Sequence, residues 1–118
     1  MRTATDRSAT GEGPRCENVG VIIVIGSVSA RPESRDEPVR LGLEHVHRSR
    51  LEPGCVLHSV HHDVEDPNRL VFIEYWADRA ALDAHFAVPE SGAFVTGLRG
   101  LTSAAPTIEI YEAAQLEF

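Results

Sequence analysis

This 118-residue chain contains no lysine. Its composition is not typical of a nucleic-acid-binding protein or of a small secreted protein. Its basic residues, all arginine, number 11 against 18 acidic ones, and the formal net charge is -7. Such a surplus of negative charge repels phosphate backbones and anionic lipid, so we expect no nucleic-acid and no membrane partner. The two cysteines, Cys16 and Cys55, provide no disulfide framework, which favours a reduced, cytoplasmic setting.

Cofactor motifs are also missing. The sequence has no glycine-rich phosphate loop, no dinucleotide fingerprint and no Ser-His-Asp nucleophile motif. Six histidines invite a metal-site hypothesis, but their spacing argues against one. His58 and His62 lie four residues apart on one predicted strand face, about 13 Å at the usual rise, and His45 and His47 diverge on a predicted helix. We therefore expect no metal ion and no bound flavin or nicotinamide.

The longest apolar run, residues 19–28, predicts the first strand. Seven of its residues are valine or isoleucine, and the run is too short to span a bilayer. Arginines precede it as they do in a secretory signal, but cleavage would remove the most strand-like segment of the protein. Residues 1–17 have almost no large apolar side chain and are predicted to form a flexible tail, and residues 18–118 a single domain.

The remaining periodicities predict a split βαβ order. After the first strand comes a helix that begins near Ser34 or Asp36 and ends at the Pro53-Gly54 turn. Two strands joined by a hairpin, a second helix and a last strand follow at residues 55–63, 70–76, 78–87 and 107–111, with the hairpin turn at 66–68. Asp78 can cap the second helix. After it, Pro89 and an apolar stripe at 94, 98 and 101 predict a third helix, which Gly97 and Gly100 weaken. This order of elements is the ferredoxin-like α+β arrangement with an antiparallel sheet. Because helices cover one face of such a sheet, whereas the first strand is apolar on both, we predict a face-to-face homodimer.

His85 and Glu74 are the ionisable residues that the patterns place among apolar neighbours. His85 lies on the apolar side of the second helix, and Glu74 stands between Phe72 and Trp76 on one strand face. A buried imidazole can take a proton from an acidic phenol or carbon acid, and a buried carboxylate can also act as a base. The alternative is structural: a core histidine satisfied by backbone or carboxylate, and a glutamate paired with an arginine at the dimer interface.

Small residues beside His85 predict a ligand cavity. Ala81 and Ala84 leave room that a tightly packed core would fill, so we expect an enclosed cavity between the second helix and the sheet. Flat aromatic walls suit a flat aromatic ligand. The residues expected to contact the ligand are Trp76, Phe86, Phe72 and His58.

Five short motifs follow one another along the chain. They are Glu-Pro-Gly-Cys at 52–55, Asp-Pro at 66–67, Glu-Tyr-Trp-Ala-Asp at 74–78, Ala-Ala-Leu at 80–82 and Ala-His at 84–85. In order and spacing the chain resembles the antibiotic biosynthesis monooxygenase family, which includes small quinol monooxygenases. The resemblance implies a ferredoxin-like homodimer whose paired sheets form an α/β barrel. Some members oxidise polycyclic phenols or quinols with O2 and use neither metal nor flavin.

The resemblance also implies site residues. Trp76 matches the family's strand tryptophan and His85 its helix histidine, but Phe72 stands where cofactor-free oxygenases of the group can carry asparagine. No histidine follows His85, which argues against haem degradation. We therefore expect a cofactor-independent monooxygenase that oxidises a phenolic or quinol-type aromatic with O2, with His85 assisting deprotonation. A non-catalytic dimeric small-molecule-binding protein, or an isomerase or decarboxylase on the same fold, remain alternatives.

Overall fold

The computed structural model describes residues 20–117 and has the element order that the sequence predicts. The elements are β1 (Val21–Ser29), α1 (Asp36–Ser49), β2 (Cys55–Asp63), β3 (Asp66–Trp76), α2 (Arg79–Ala87), α3 (Pro89–Gly97) and β4 (Thr107–Ala113), with a 3-10 turn at Pro32–Ser34. The predicted flexible tail, residues 1–17, lies outside the described residues. Within the described range, no helix has the length and apolar character needed to cross a membrane.

The four strands form one antiparallel sheet in the order β2-β3-β1-β4. Val24 in the central strand β1 lies opposite Glu74 of β3 and Ile110 of β4. This topology confirms the ferredoxin-like α+β fold. The hairpin turn comes earlier than predicted, because the Asp63 side chain accepts the Glu65 N–H at 2.8 Å and closes the turn at residues 64–65.

The inner face of the sheet, which the helices cover, carries the core. Inward positions of β1 and β3 alternate strictly, as half-covered antiparallel strands require. One cluster centres on the fully buried Trp76, and the other lies under α1 and α3. The buried members are Ile22, Val24, Trp76 and Leu82 in the first cluster and Val28, Val46, Leu70, Phe72 and Leu98 in the second.

The outer face, meaning the side of the sheet opposite the helices, is apolar and only partly buried. Ile23 of β1 lies between Tyr75 and Tyr111 of the flanking strands, so these three side chains share that face. Ile25 is 37% exposed and Tyr111 48% exposed. Helices therefore protect one side of β1, and its other side remains a broad apolar surface.

The turn between α1 and β2 connects directly to the start of α2. Gly54 adopts a left-handed φ of 82°, and its carbonyl oxygen accepts the Ala77 N–H at 2.8 Å. Asp78 then caps α2, as its sequence position predicts, by accepting the Ala81 N–H at 2.8 Å. These contacts fix α2 against the turn that carries Glu52.

Candidate functional site

His85 lies at the centre of the candidate site because both of its ring nitrogens face carboxylates. Its side chain is 2% exposed; Nδ1 lies 2.7 Å from Glu52 Oε1, and Nε2 lies 3.9 Å from Glu74 Oε1. A carboxylate can only accept, so Nδ1 carries the proton donated to Glu52, and in the neutral tautomer the lone pair of the ring is on Nε2. Nε2 is therefore a basic atom on the side that faces Glu74.

Glu74 is buried on the inner face of β3, where the sequence predicts it. Its Oε1 accepts the Trp76 Nε1–H at 2.9 Å, and no arginine pairs with it among the described residues. Burial raises the pKa of Glu74, against the opposing effect of the Trp76 hydrogen bond. The carboxyl group can therefore hold or release a proton beside His85.

Two further histidines complete a cluster that the sequence analysis did not foresee. The rings of His45 and His58 lie 5.3 and 5.6 Å from that of His85, centroid to centroid, and one ring atom from each of the three lies within 4.8 Å of the others. Burial lowers the pKa of both His45 and His58 to about 3, with the neighbouring histidines adding to the effect. Both rings are therefore neutral at physiological pH.

The surroundings of His45 and His58 differ. His45 stacks on Phe94 with ring centroids 4.2 Å apart, and its Nδ1 accepts a hydrogen bond from Arg48 at 2.7 Å. His58 is fully enclosed, and neither of its ring nitrogens has a hydrogen-bond partner among residues 20–117. Its Nε2 lies 3.5 Å from Glu74 Oε2, which is a contact with a neutral ring and not an ion pair.

Histidines on one face of an element, such as His58 and His62, lie too far apart to share a metal ion. The cluster instead draws one histidine from each of α1, β2 and α2. The signal that could have located His45 is the pattern Gly42, His45, Val46 and Ser49, which marks the buried face of α1. The apolar Leu43 lies off that face and is 43% exposed, so the apolar residues of α1 alone do not mark its buried side.

A cavity of about 210 Å³ lies between the sheet and helices α2 and α3. Of the six predicted site residues, four line it: His85, Glu74, Phe72 and Phe86. Trp76 and His58 lie behind it in the core and do not line it. The cavity is not fully enclosed, since three of its apolar lining residues are about half exposed: Phe86, Val95 and Ile108.

A second cavity, of about 370 Å³, also has His85 in its lining. It is lined by Ala81 and Ala84, so the room expected beside these small residues is in this cavity. Glu52 and Gly54 also line it. His85 thus contributes to the walls of both cavities, and its partner Glu52 lines only the second.

Comparison with known proteins relates the chain to others of the same fold. The uncharacterized protein sll1783 of Synechocystis sp. (strain ATCC 27184 / PCC 6803 / Kazusa) is 34% identical over 96 residues, covering 81% of this chain and 65% of that protein. The chain thus spans just under two thirds of that relative's length. A crystal structure described as an antibiotic biosynthesis monooxygenase is 33% identical with a TM-score of 0.73, covering 80% of this chain and 99% of that one.

A Deinococcus radiodurans structure is 26% identical with a TM-score of 0.78, covering 82% of this chain and 96% of that one. The family profile described as antibiotic biosynthesis monooxygenase matches residues 21–97. This match extends from β1 through α3 and includes Glu52, Glu74 and His85. The chain therefore belongs to the antibiotic biosynthesis monooxygenase family.

Proposed function

We propose that the protein is a cofactor-independent monooxygenase that oxidises a small phenolic or quinol-type aromatic with O2 in the cavity between the sheet and α2 and α3. The observation that carries the proposal is the orientation of His85. Its Nδ1 is fixed by Glu52 at 2.7 Å, which leaves Nε2 as the proton acceptor at a residue that lines the cavity. A buried base held in one tautomer is suited to deprotonating an acidic carbon or phenol.

Deprotonation prepares the substrate for direct reaction with O2. His85 Nε2 takes the acidic proton, and the resulting anion is electron-rich enough to transfer electrons to O2. In the keto tautomer of such a substrate a ring CH2 becomes C=O. Two C–H bonds and the O–O bond break, one oxygen atom forms the new carbonyl, and the other leaves as water with both hydrogens. The substrate supplies all the electrons, so no external reductant is needed. Glu74, which burial favours in its protonated form, is placed to return a proton to the reduced oxygen.

The cavity lining and volume support a small aromatic substrate. Phe72, Phe86 and Phe94 contribute flat apolar walls, whereas Glu74, His45 and His85 supply the polar groups. The volume of about 210 Å³ is below the range of about 300 to 1,000 Å³ typical of sites for drug-sized ligands. One or two fused rings therefore fit the cavity better than a large polycycle.

The proposal includes a homodimer formed through the outer face. The side chains of Ile23 and Ile25 point to the outer face, where the helices of the same chain do not bury them. The sheet of a second copy of the chain would bury these side chains. Such a pairing would turn two open sheets into one closed barrel with a cavity in each half. The cavity lies on the helical side, so each subunit would keep its own site.

Oxygen consumption by chelator-treated protein tests the proposal. The panel consists of one- and two-ring hydroquinones, with three-ring anthrones as the larger comparison, measured with an oxygen electrode. We expect uptake with at least one substrate and a fall of about 10²- to 10⁴-fold in His85→Ala, the usual effect of a general base. His47→Ala, which alters an exposed histidine of α1 away from the proposed dimer face, is the matched control. If no panel member is consumed and aromatic compounds still bind, the protein is the non-catalytic binding module instead.

A further inference from the structure

The histidine cluster has the composition of a transition-metal site. We propose that His58, His85 and Glu74 bind one divalent first-row transition cation of the Zn²⁺, Co²⁺ or Fe²⁺ class. The inference goes beyond the proposed function and does not depend on it. Two imidazoles with one carboxylate favour these ions over Mg²⁺ and Ca²⁺, which prefer sites made of oxygen ligands.

The Glu74 carboxylate lies between the two imidazoles that would share the ion with it. Its Oε2 is 3.5 Å from His58 Nε2, and its Oε1 is 3.9 Å from His85 Nε2. Metal–ligand bonds of about 2.0 to 2.1 Å place neighbouring donors roughly 3 to 3.4 Å apart. The two carboxylate–imidazole distances exceed this separation by less than about 1 Å, and ring atoms of His58 and His85 lie within 4.8 Å of each other. Side-chain rotations of all three residues would bring the donors together around an ion.

His58 supplies an independent reason for a ligand at this position. Its side chain is completely inaccessible to solvent, and neither Nδ1 nor Nε2 has a hydrogen-bond partner within the described part of the chain. Buried polar groups are normally satisfied, so an orphaned imidazole needs an explanation. A cation on Nε2 would use the lone pair that no protein group occupies.

Outer partners already orient the proposed ligands. His85 donates its Nδ1–H to Glu52, and Glu74 accepts the Trp76 Nε1–H. A carboxylate behind a ligating histidine fixes the tautomer that presents the other nitrogen to the metal. In His85 that nitrogen is Nε2, the atom that faces Glu74.

His45 is not assigned as a ligand. The Arg48 guanidinium can only donate, so Nδ1 of His45 accepts its hydrogen bond and the Nε2 of the neutral ring carries a proton. His45 therefore has no lone pair free for the ion while Arg48 is bound. Three protein ligands remain, which leaves a coordination position for water or a small molecule from the cavity.

Metal binding and proton acceptance compete for the same atom. An ion on His85 Nε2 occupies the lone pair that would take the substrate proton in the cofactor-independent reaction. We therefore expect Zn²⁺ to inhibit that reaction in proportion to its occupancy of the site.

Titration of chelator-treated protein with Co²⁺ tests the site, because the visible absorption of Co²⁺ reports its ligands. We expect saturable binding of one ion per chain, weakened by at least about tenfold in His58→Ala and in Glu74→Gln. His62→Ala, an exposed histidine on the same strand as His58, should bind as the wild type does. Mg²⁺ should not displace Co²⁺. Absence of saturable binding, or binding that His62→Ala removes and His58→Ala retains, overturns the assignment.

Nuclear magnetic resonance of the wild-type protein tests the same site without relying on the folding of variants. Zn²⁺ added to ¹⁵N-labelled protein should shift the ring nitrogens of two buried histidines and leave those of the exposed ones unchanged. Shifts confined to exposed histidines overturn the site. The oxygen-uptake assay decides the proposed function separately, since uptake by chelator-treated protein supports that function whether or not Co²⁺ binds.

Discussion

Replacing Gly54 by alanine should be among the most damaging single-methyl changes in the protein. The residue has a φ of 82°, and a Cβ added there would lie 2.5 Å from the Ala81 Cβ on α2. The left-handed conformation costs a non-glycine residue about 1 to 2 kcal/mol. Relieving the overlap requires α2 or the turn to move, at about 1 to 3 kcal/mol. Together these terms predict a loss of roughly 2 to 5 kcal/mol in the free energy of unfolding.

Urea unfolding followed by the emission of Trp76, the sole tryptophan, measures this loss. Gly92→Ala is the matched control, since a Cβ there meets nothing within 4 Å and the exposed helix position gains about 0.5 to 1 kcal/mol from alanine. Gly54→Ala combined with Ala81→Gly separates the two costs, because it removes the overlap and keeps the left-handed φ.

The double variant should show a favourable coupling of about 1 to 3 kcal/mol between the two sites. A loss below about 1 kcal/mol in Gly54→Ala, or additive effects in the double variant, would refute the steric argument. Because the Gly54 carbonyl binds the Ala77 N–H, a displaced turn should also move Glu52 away from His85 and lower any oxygen uptake.

Three further outcomes follow from titration and surface burial. In buffer with a chelator, the free energy of unfolding should fall as pH decreases from 7 to 5. The pKa values of His45 and His58 are about 3 in the folded protein and an ordinary 6.5 in the unfolded chain. Over this pH range the unfolded chain therefore binds protons that the folded protein does not bind. The loss is up to about 2 kcal/mol for each histidine; urea unfolding at the two pH values measures it, and equal values would contradict the burial of neutral rings. Burial, with Glu52 and Glu74 nearby, raises the pKa of the Cys55 thiol, so iodoacetamide should alkylate Cys55 more slowly at pH 8 than it alkylates glutathione. The rate is measured in Cys16→Ser, in which Cys55 is the one remaining thiol, and equal rates would contradict the raised pKa. Light scattering at micromolar concentration should give the mass of a dimer for the wild type. Ile25→Glu on the outer face should give the mass of a monomer, whereas Gly92→Ala should remain a dimer. A monomeric wild type would contradict the dimer proposal.

The fold was predictable from the sequence because its signals are local. The apolar run of β1, the Asp78 cap and the Pro53-Gly54 turn each depend on a few neighbouring residues, and each lies where the sequence indicates. His85 and Glu74 could be identified as buried for the same reason, since strand alternation and helical spacing reveal which face a residue occupies.

The composition of the site was only partly predictable, because its members come from separate elements. Glu52 is 33 residues away from His85 in sequence, and nothing local marks it as the partner of that ring. His45 and His58 meet His85 only after α1 packs on β2, so no spacing within one element could reveal the cluster. Trp76 carries a strong aromatic signal, which is why we expected it to line the cavity, but its indole hydrogen-bonds to Glu74 from within the core.

Helix α3 has a consequence for the kinetics of ligand exchange. It contributes Phe94 and Val95 to the cavity wall, yet Ser91 is its one buried residue and Gly92 lies in its first turns. A short helix held by so little burial opens locally at a lower free energy than the strands beneath it. Ligand entry and release should therefore be timed by fluctuations of α3 rather than by global unfolding. Amide hydrogens of α3 should exchange faster than those of β1, and a bound aromatic compound should slow them selectively.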